Sequence, residues 1–174
     1  TDAYQPVEKH REITRDVLKV LVEYRHPVSI ITKGALILRD LDLLSELAHQ
    51  GLCSVRVSLT TLDNTLKRQM EPRTAAPATR LKVIRELAAA GVPTGIILGP
   101  VIPFINDHEI ESILGVAAEA GAERASSMMF RLPLELDELF QDWLQRHFPD
   151  RASHVMNRMR DLRGGKSYDA QFGR

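Results

Sequence analysis

The sequence is poor in cysteine, with Cys53 alone among 174 residues. A single thiol excludes an intrachain disulfide and any multi-cysteine metal site built from this chain. Net charge is missing too, because 23 basic and 23 acidic side chains cancel. That balance removes the electrostatic footprint of a strong nucleic-acid binder. No apolar run approaches the roughly 18 residues of a membrane span, and no signal-peptide pattern opens the sequence, so a cytoplasmic setting without membrane contact is the expectation. There is no Gly-x-Gly-x-x-Gly, no Gly-x-x-x-x-Gly-Lys-Ser loop, no Gly-x-Ser-x-Gly and no His-x-x-x-His. Dinucleotide, phosphate-loop, nucleophile-elbow and helical zinc sites are therefore not expected.

What is present is an ordinary globular composition, 44% hydrophobic and 26% charged, and a length that suits one domain. The opening Thr1-Asp2-Ala3-Tyr4-Gln5-Pro6 reads as the end of something already under way, as in a piece of a longer protein. Ile13, Val17, Val20, Leu21 and Tyr24 recur at helical spacing and predict a helix that buries this stripe. Val28–Thr32 is a short β-branched strand, and a helix carrying Leu41, Leu44, Leu47 and Ala48 follows a cap at Asp40 and stops at Gly51. Val55–Thr60 is the second strand, and the next helix carries Leu81, Ile84, Leu87 and Ala88.

The chain is organised around Gly91–Pro103. Ile96-Ile97-Leu98 is apolar without alternation, as expected of a parallel strand covered on both faces. Gly99-Pro100 is expected to break that strand, and the glycines beside the triplet leave room for another backbone or a flat ligand. Asn106 three residues before Glu109 resembles a capping box for a helix with Ile110, Ile113, Leu114 and Ala117 inward. A fourth strand is predicted near Ala125–Arg131, with Met128 and Met129 in the core. Two helices follow, one with Leu136, Phe140, Trp143 and Leu144, the other with Val155, Met156, Met159 and Leu162.

Strand starts near Val28, Val55, Thr94 and Ala125 lie roughly 27 to 39 residues apart, the span of a βα repeat. Alternating strands and helices imply a parallel sheet, and four strands do not close an eight-stranded barrel. The fold class is α/β, a partial (β/α) barrel with outer helices that lacks its N-terminal strands. Residues 1–163 form the domain and 164–174 an irregular tail. One rim of such a sheet collects Asp2, Lys33, Ser58, Thr60, Thr61, Gly99 and Arg131. A cation, hydroxyls, a glycine and a carboxylate together suit a zwitterionic, sugar-bearing small molecule. Each has a bland alternative: Lys33 as a strand-end lysine, Thr60 and Thr61 as loop starters, Glu71-Pro72-Arg73 as an internal clasp, Cys53 as a small buried hydrophobe.

The set Thr1–Pro6, Ser29–Lys33, Val57-Ser58-Leu59-Thr60-Thr61, Glu71-Pro72-Arg73, Gly95–Pro100 and Arg163-Gly164-Gly165-Lys166 with Tyr168-Asp169 and Phe172-Gly173 resembles the radical S-adenosylmethionine (radical SAM) superfamily. The likeness is to its spore photoproduct lyase-like branch and related bacterial proteins, along nearly the whole chain. The resemblance implies a partial barrel that binds S-adenosylmethionine at the carboxyl ends of its strands. It assigns Thr1 and Asp2 to the methionine amino group, Lys33 to the carboxylate, Ser58 to the ribose, and Gly95, Ile97 and Gly99 to the adenine. An acidic residue that sometimes ends this last pattern is replaced by Ile102.

The family also uses a [4Fe–4S] cluster held by a three-cysteine loop, which this sequence does not contain. With a cluster from an upstream segment and an external electron donor, the intact parent is expected to generate a 5′-deoxyadenosyl radical for hydrogen abstraction. The chain alone is expected to be inactive and to hold no catalytic residue. Two other readings stay open: an aldolase-like barrel with Lys33 as Schiff-base lysine, and a non-catalytic binding or assembly fragment of the same fold. A nucleic-acid partner follows from the resemblance only. Arg151, Arg158, Arg160, Arg163 and Lys166 are diluted by Asp150 and Asp161 and read as a solvated helix face.

Overall fold

The structure, a computed structural model, describes residues 2–132, 134–162 and 164–165, apart from the Leu134 side chain. Thr1, Arg163, Lys166, Tyr168, Asp169, Phe172 and Gly173 lie outside the described residues. Four strands, β1 (Val28–Thr32), β2 (Cys53–Ser58), β3 (Thr94–Val101) and β4 (Arg124–Met129), form one sheet in the order β1-β2-β3-β4. All three neighbouring pairs are parallel. Helices α1 (Glu8–Arg11) and α2 (Ile13–Glu23) precede β1, and α3 (Leu41–His49) leads to β2 after a 3-10 segment, Ala35–Asp40. Next come α4 (Asn64–Met70) and α5 (Pro77–Ala89) before β3, α6 (Ile110–Glu119) before β4, and α7 (Asp137–His147) and α8 (Ala152–Asp161) after it. This is an α/β architecture with a partial barrel. Among the described residues no helix is long and apolar enough to cross a membrane.

Alternation along the strands sends one set of side chains to the helices and the other to an open concave face. On the helix side Ile30, Val55, Val57, Ile96 and Leu98 are all buried and pack with Leu18, Leu44, Leu47, Ile84, Leu87 and Ile113. Cys53 belongs to this core, as a small hydrophobe would. A second apolar cluster joins Leu66, Ile102, Ile105 and Leu132 to Phe140, Leu144, Val155, Met156 and Met159, so α7 and α8 pack beyond the strand ends. Gly51, Gly91 and Gly121 end helices with φ of +71°, +74° and +99°, a backbone region that side chains disfavour.

Several expectations are corrected. On α2 the stripe Ile13, Val17, Val20 and Tyr24 is exposed, while Leu18 is buried and Leu21 and Val22 are partly so. The helix carries apolar residues on two faces, and its polar anchors decide which one turns inward. Arg15 donates to the fully buried Asp40 at 3.0 Å and makes two bonds to Asp42, at 2.9 and 2.7 Å. Asp40 is therefore no side-chain cap for α3 but the acceptor for Arg15 and for a bidentate Arg39, both of whose bonds are 2.8 Å. The strand β3 runs through Gly99-Pro100 to Val101, with its register to β4 shifting between Leu98 and Val101. Ile97 is only half-buried, because the helices cover one face of the sheet. Met128 and Met129 are exposed, since every residue of β4 is open to solvent.

Candidate functional site

Register brings the predicted residues into rows. Thr32 pairs with Val57, so the next residue, Lys33, continues that register beside Ser58. Ser58 pairs with Ile97, and Ile97 with Ser126. Lys33, Ser58 and Ile97 thus share one level at the carboxyl ends of three strands, on the concave face. Gly99 stands two residues further along β3 on the same face. Gly95 lies two residues nearer the other end, where it lines a cavity of about 230 Å³ with Arg56, Thr94 and Arg124. Its bare backbone is accounted for by β4, because a Cβ there would come 2.8 Å from the Arg124 carbonyl oxygen.

Asp2 reaches the same rim from the chain before α1. Its carboxylate accepts hydrogen bonds from the Thr32 hydroxyl at 2.7 Å, the Lys33 backbone N–H at 2.7 Å and the Tyr4 N–H at 2.9 Å. The approach is close enough that a Cβ on Gly34 would meet the Tyr4 carbonyl oxygen at 2.8 Å. Ser58 is only 6% exposed, yet its hydroxyl has no hydrogen-bond partner among the described residues. Its oxygen is not among the buried unpartnered side-chain atoms, so it stays open to solvent at the rim and is free to meet a ligand.

Sequence reasoning missed the buried polar side chains behind this row. The Lys33 ammonium is ion-paired with Glu71, which is 8% exposed. Glu71 also accepts from Arg80 at 2.5 Å, so the expected clasp of Glu71 with Arg73 is replaced by a pair with Arg80 and Lys33. Burial pushes the Glu71 pKa up, but the hydrogen bond from Lys33 and the Arg80 charge outweigh it and hold the carboxyl below its ordinary range. Thr60 places its hydroxyl between Glu71 (3.2 Å) and the Gly99 carbonyl (3.1 Å). The signal for Arg80 was readable: a charged residue stands in the inward stripe Pro77, Arg80, Ile84, Leu87 of α5.

Asn106 and Glu109 do not form the expected capping box. The Asn106 side chain accepts from the Ile102 N–H at 2.7 Å and donates to the carbonyls of Thr60 at 2.9 Å and Pro100 at 3.0 Å. Glu109 accepts from the Thr61 hydroxyl at 2.5 Å and the Leu62 N–H at 2.7 Å. These two residues stitch the loop after β3 to the loop after β2. A larger depression of about 750 Å³, lined by Phe104, Asp107, His108, Arg151 and His154, lies at the starts of α6 and α8. None of the candidate residues lines it. Among the described residues no group of three or more His, Cys, Asp or Glu could hold a metal ion.

The comparisons with known proteins agree with this architecture. A spore photoproduct lyase mutant solved with bound AdoMet and dinucleoside spore photoproduct superposes with a TM-score of 0.60 at 16% identity, covering 86% of this chain and 44% of that one. An uncharacterized protein of Mycobacterium tuberculosis is 34% identical over 164 residues, 93% of this chain and 47% of the relative. Another from Methanocaldococcus jannaschii is 29% identical over 160 residues, 91% of this chain and 58% of the relative. The chain thus spans about half the length of the curated relatives it matches. The family model of the Radical SAM superfamily matches residues 5–117, and the chain belongs to that superfamily.

Proposed function

We propose that this chain is the S-adenosylmethionine-binding part of a radical SAM enzyme. The observation that carries the reading is the row of Lys33, Ser58 and Ile97 on the concave face, with the Ser58 hydroxyl unpaired among the described residues. These residues suit the ligand. Asp2, with Thr1 beside it in sequence, would face the amino group, and Lys33 the carboxylate. Ser58 would meet the ribose, and Ile97 with Gly99, and Gly95 below them, would back the adenine. The Asp2 carboxylate and the Lys33 cation, opposite charges on one rim, complement the two charges of an amino acid.

In the intact parent, a reduced [4Fe–4S] cluster would supply the electron that turns such a ligand into a source of a carbon-centred radical. This chain's own residues bind and orient; none of them moves a proton in this reading. They do not fit the cluster. Cys53 is buried near the start of β2, on the helix side, and burial pushes its thiol up to about 11, so it is a poor thiolate ligand. The cluster's cysteines and its electron donor would then come from outside these residues. Schiff-base chemistry is a weaker match, because the Lys33 nitrogen is engaged in an ion pair with Glu71 and is a third exposed rather than enclosed in an apolar pocket.

Calorimetric titration of S-adenosylmethionine tests the reading. Wild type is expected to bind, and Ser58→Ala to bind about tenfold more weakly while melting as wild type does. Equal affinities would remove Ser58 from the site, and no binding to wild type at millimolar ligand would end the proposal.

A further inference from the structure

A buried ion pair sits behind the rim and makes no direct contact in the binding scheme above. Arg80 is 2% exposed and uses its whole guanidinium fork. Its Nε donates to the Ala75 carbonyl at 3.0 Å and Nη1 to the Ser58 carbonyl at 2.8 Å. Its Nη2 donates to Glu71 Oε2 at 2.5 Å and to the Thr74 hydroxyl at 2.6 Å. The other Glu71 oxygen, Oε1, receives the Lys33 ammonium and the Thr60 hydroxyl. One guanidinium thus grips the backbone of Ser58 and, through one carboxylate, the side chain of Lys33.

The grouping is also more than a pair. Arg80 alone neutralises Glu71, and Lys33 comes to the same carboxylate as a third member. Stability does not call for that third member, since buried ion pairs are weak evidence of stabilisation. A lysine is a point charge on a flexible stem, and a partner that fixes it before binding lowers the entropy lost when a ligand docks.

We propose that Glu71 is a positioning residue that holds the Lys33 ammonium ready for a ligand carboxylate, with Arg80 fixing both Glu71 and the Ser58 backbone. The inference rests on the S-adenosylmethionine reading and adds to it the residues that set its geometry. Glu71 touches no ligand in this scheme; it acts through Lys33.

The test compares two probes, S-adenosylmethionine and 5′-methylthioadenosine, which lacks the amino-acid part. Both are titrated into wild type, Glu71→Gln and Glu71→Asp. Glu71→Asp keeps a carboxylate for Arg80 and decides the matter if Glu71→Gln does not fold. The expected result is binding of S-adenosylmethionine weakened about tenfold or more in Glu71→Gln, less in Glu71→Asp, with 5′-methylthioadenosine bound as in wild type. Loss of both probes alike would assign Glu71 a general structural role and overturn the inference. Unchanged binding of both would overturn it while leaving the S-adenosylmethionine site intact. A wild type that binds no S-adenosylmethionine would remove both proposals together.

Discussion

The two faces of the sheet are made by the same strands and differ in almost everything else. Toward the helices stand Ile30, Val55, Val57, Ile96 and Leu98, buried in a continuous apolar core. Toward the concave side stand Ser29, Ile31, Ser54, Arg56, Ser58, Gly95 and Ile97, small, charged or half-open. A strand's two faces are independent because neighbouring side chains point in opposite directions. The helix face is selected for fit, and its loss is felt as stability. The concave face contributes little burial, so its residues answer to whatever it meets. Where the two regimes touch, at the strand ends, buried charges replace apolar packing.

The largest effect is expected at that junction. Arg80→Met leaves the buried Glu71 carboxylate without its guanidinium and is expected to cost about 3–5 kcal/mol in urea denaturation. A loss under 1 kcal/mol would mean Lys33 alone compensates Glu71. Next, Ile96→Ala on the helix face is expected to cost about 2–5 kcal/mol, the transfer and cavity penalty of a buried aliphatic chain.

A milder effect should follow pH. Burial raises the Asp40 carboxyl, but hydrogen bonds from Arg39 and Arg15 outweigh it and hold the group below its ordinary value, as at Glu71. Carboxyls depressed in the folded state stabilise it fully above their unfolded values near about 4. That contribution is lost as pH falls through about 4 toward the lower folded values. Melting temperature should therefore drop in this acid range, and less so in Asp40→Asn measured against its own neutral-pH value. The smallest effect is expected for Ile31→Ala. Its side chain is on the concave edge, with Ile31 52% exposed, and the change should stay within about 0.5 kcal/mol. A loss comparable to that of Ile96→Ala would erase the contrast between the faces.

Most of the fold was legible. β-branched runs and the glycines Gly51, Gly91 and Gly121 marked the strand–helix alternation, because both signals are local. The inward face of α2 was not, because periodicity fits Ile13-Val17-Val20 as well as Leu18-Leu21-Val22. The choice is made by Arg15 meeting Asp40 and Asp42, contacts between segments that only the fold brings together. The rim residues Asp2, Lys33 and Ser58 could be placed from strand ends alone. Their partners Glu71 and Asn106 could not, since loop residues carry no period that reveals what they reach, whereas Arg80 shows as a charge in the inward stripe of α5.

The Asn106 side chain has a mechanical meaning. Spanning Thr60, Pro100 and Ile102 with one amide, it removes the independent freedom of two neighbouring turns and makes them a single plate. A displacement imposed on either turn is transmitted to the other without passing through the strands. Thr60 sits on that plate with its hydroxyl against Glu71, so the plate's tilt and the lysine's anchorage move in step.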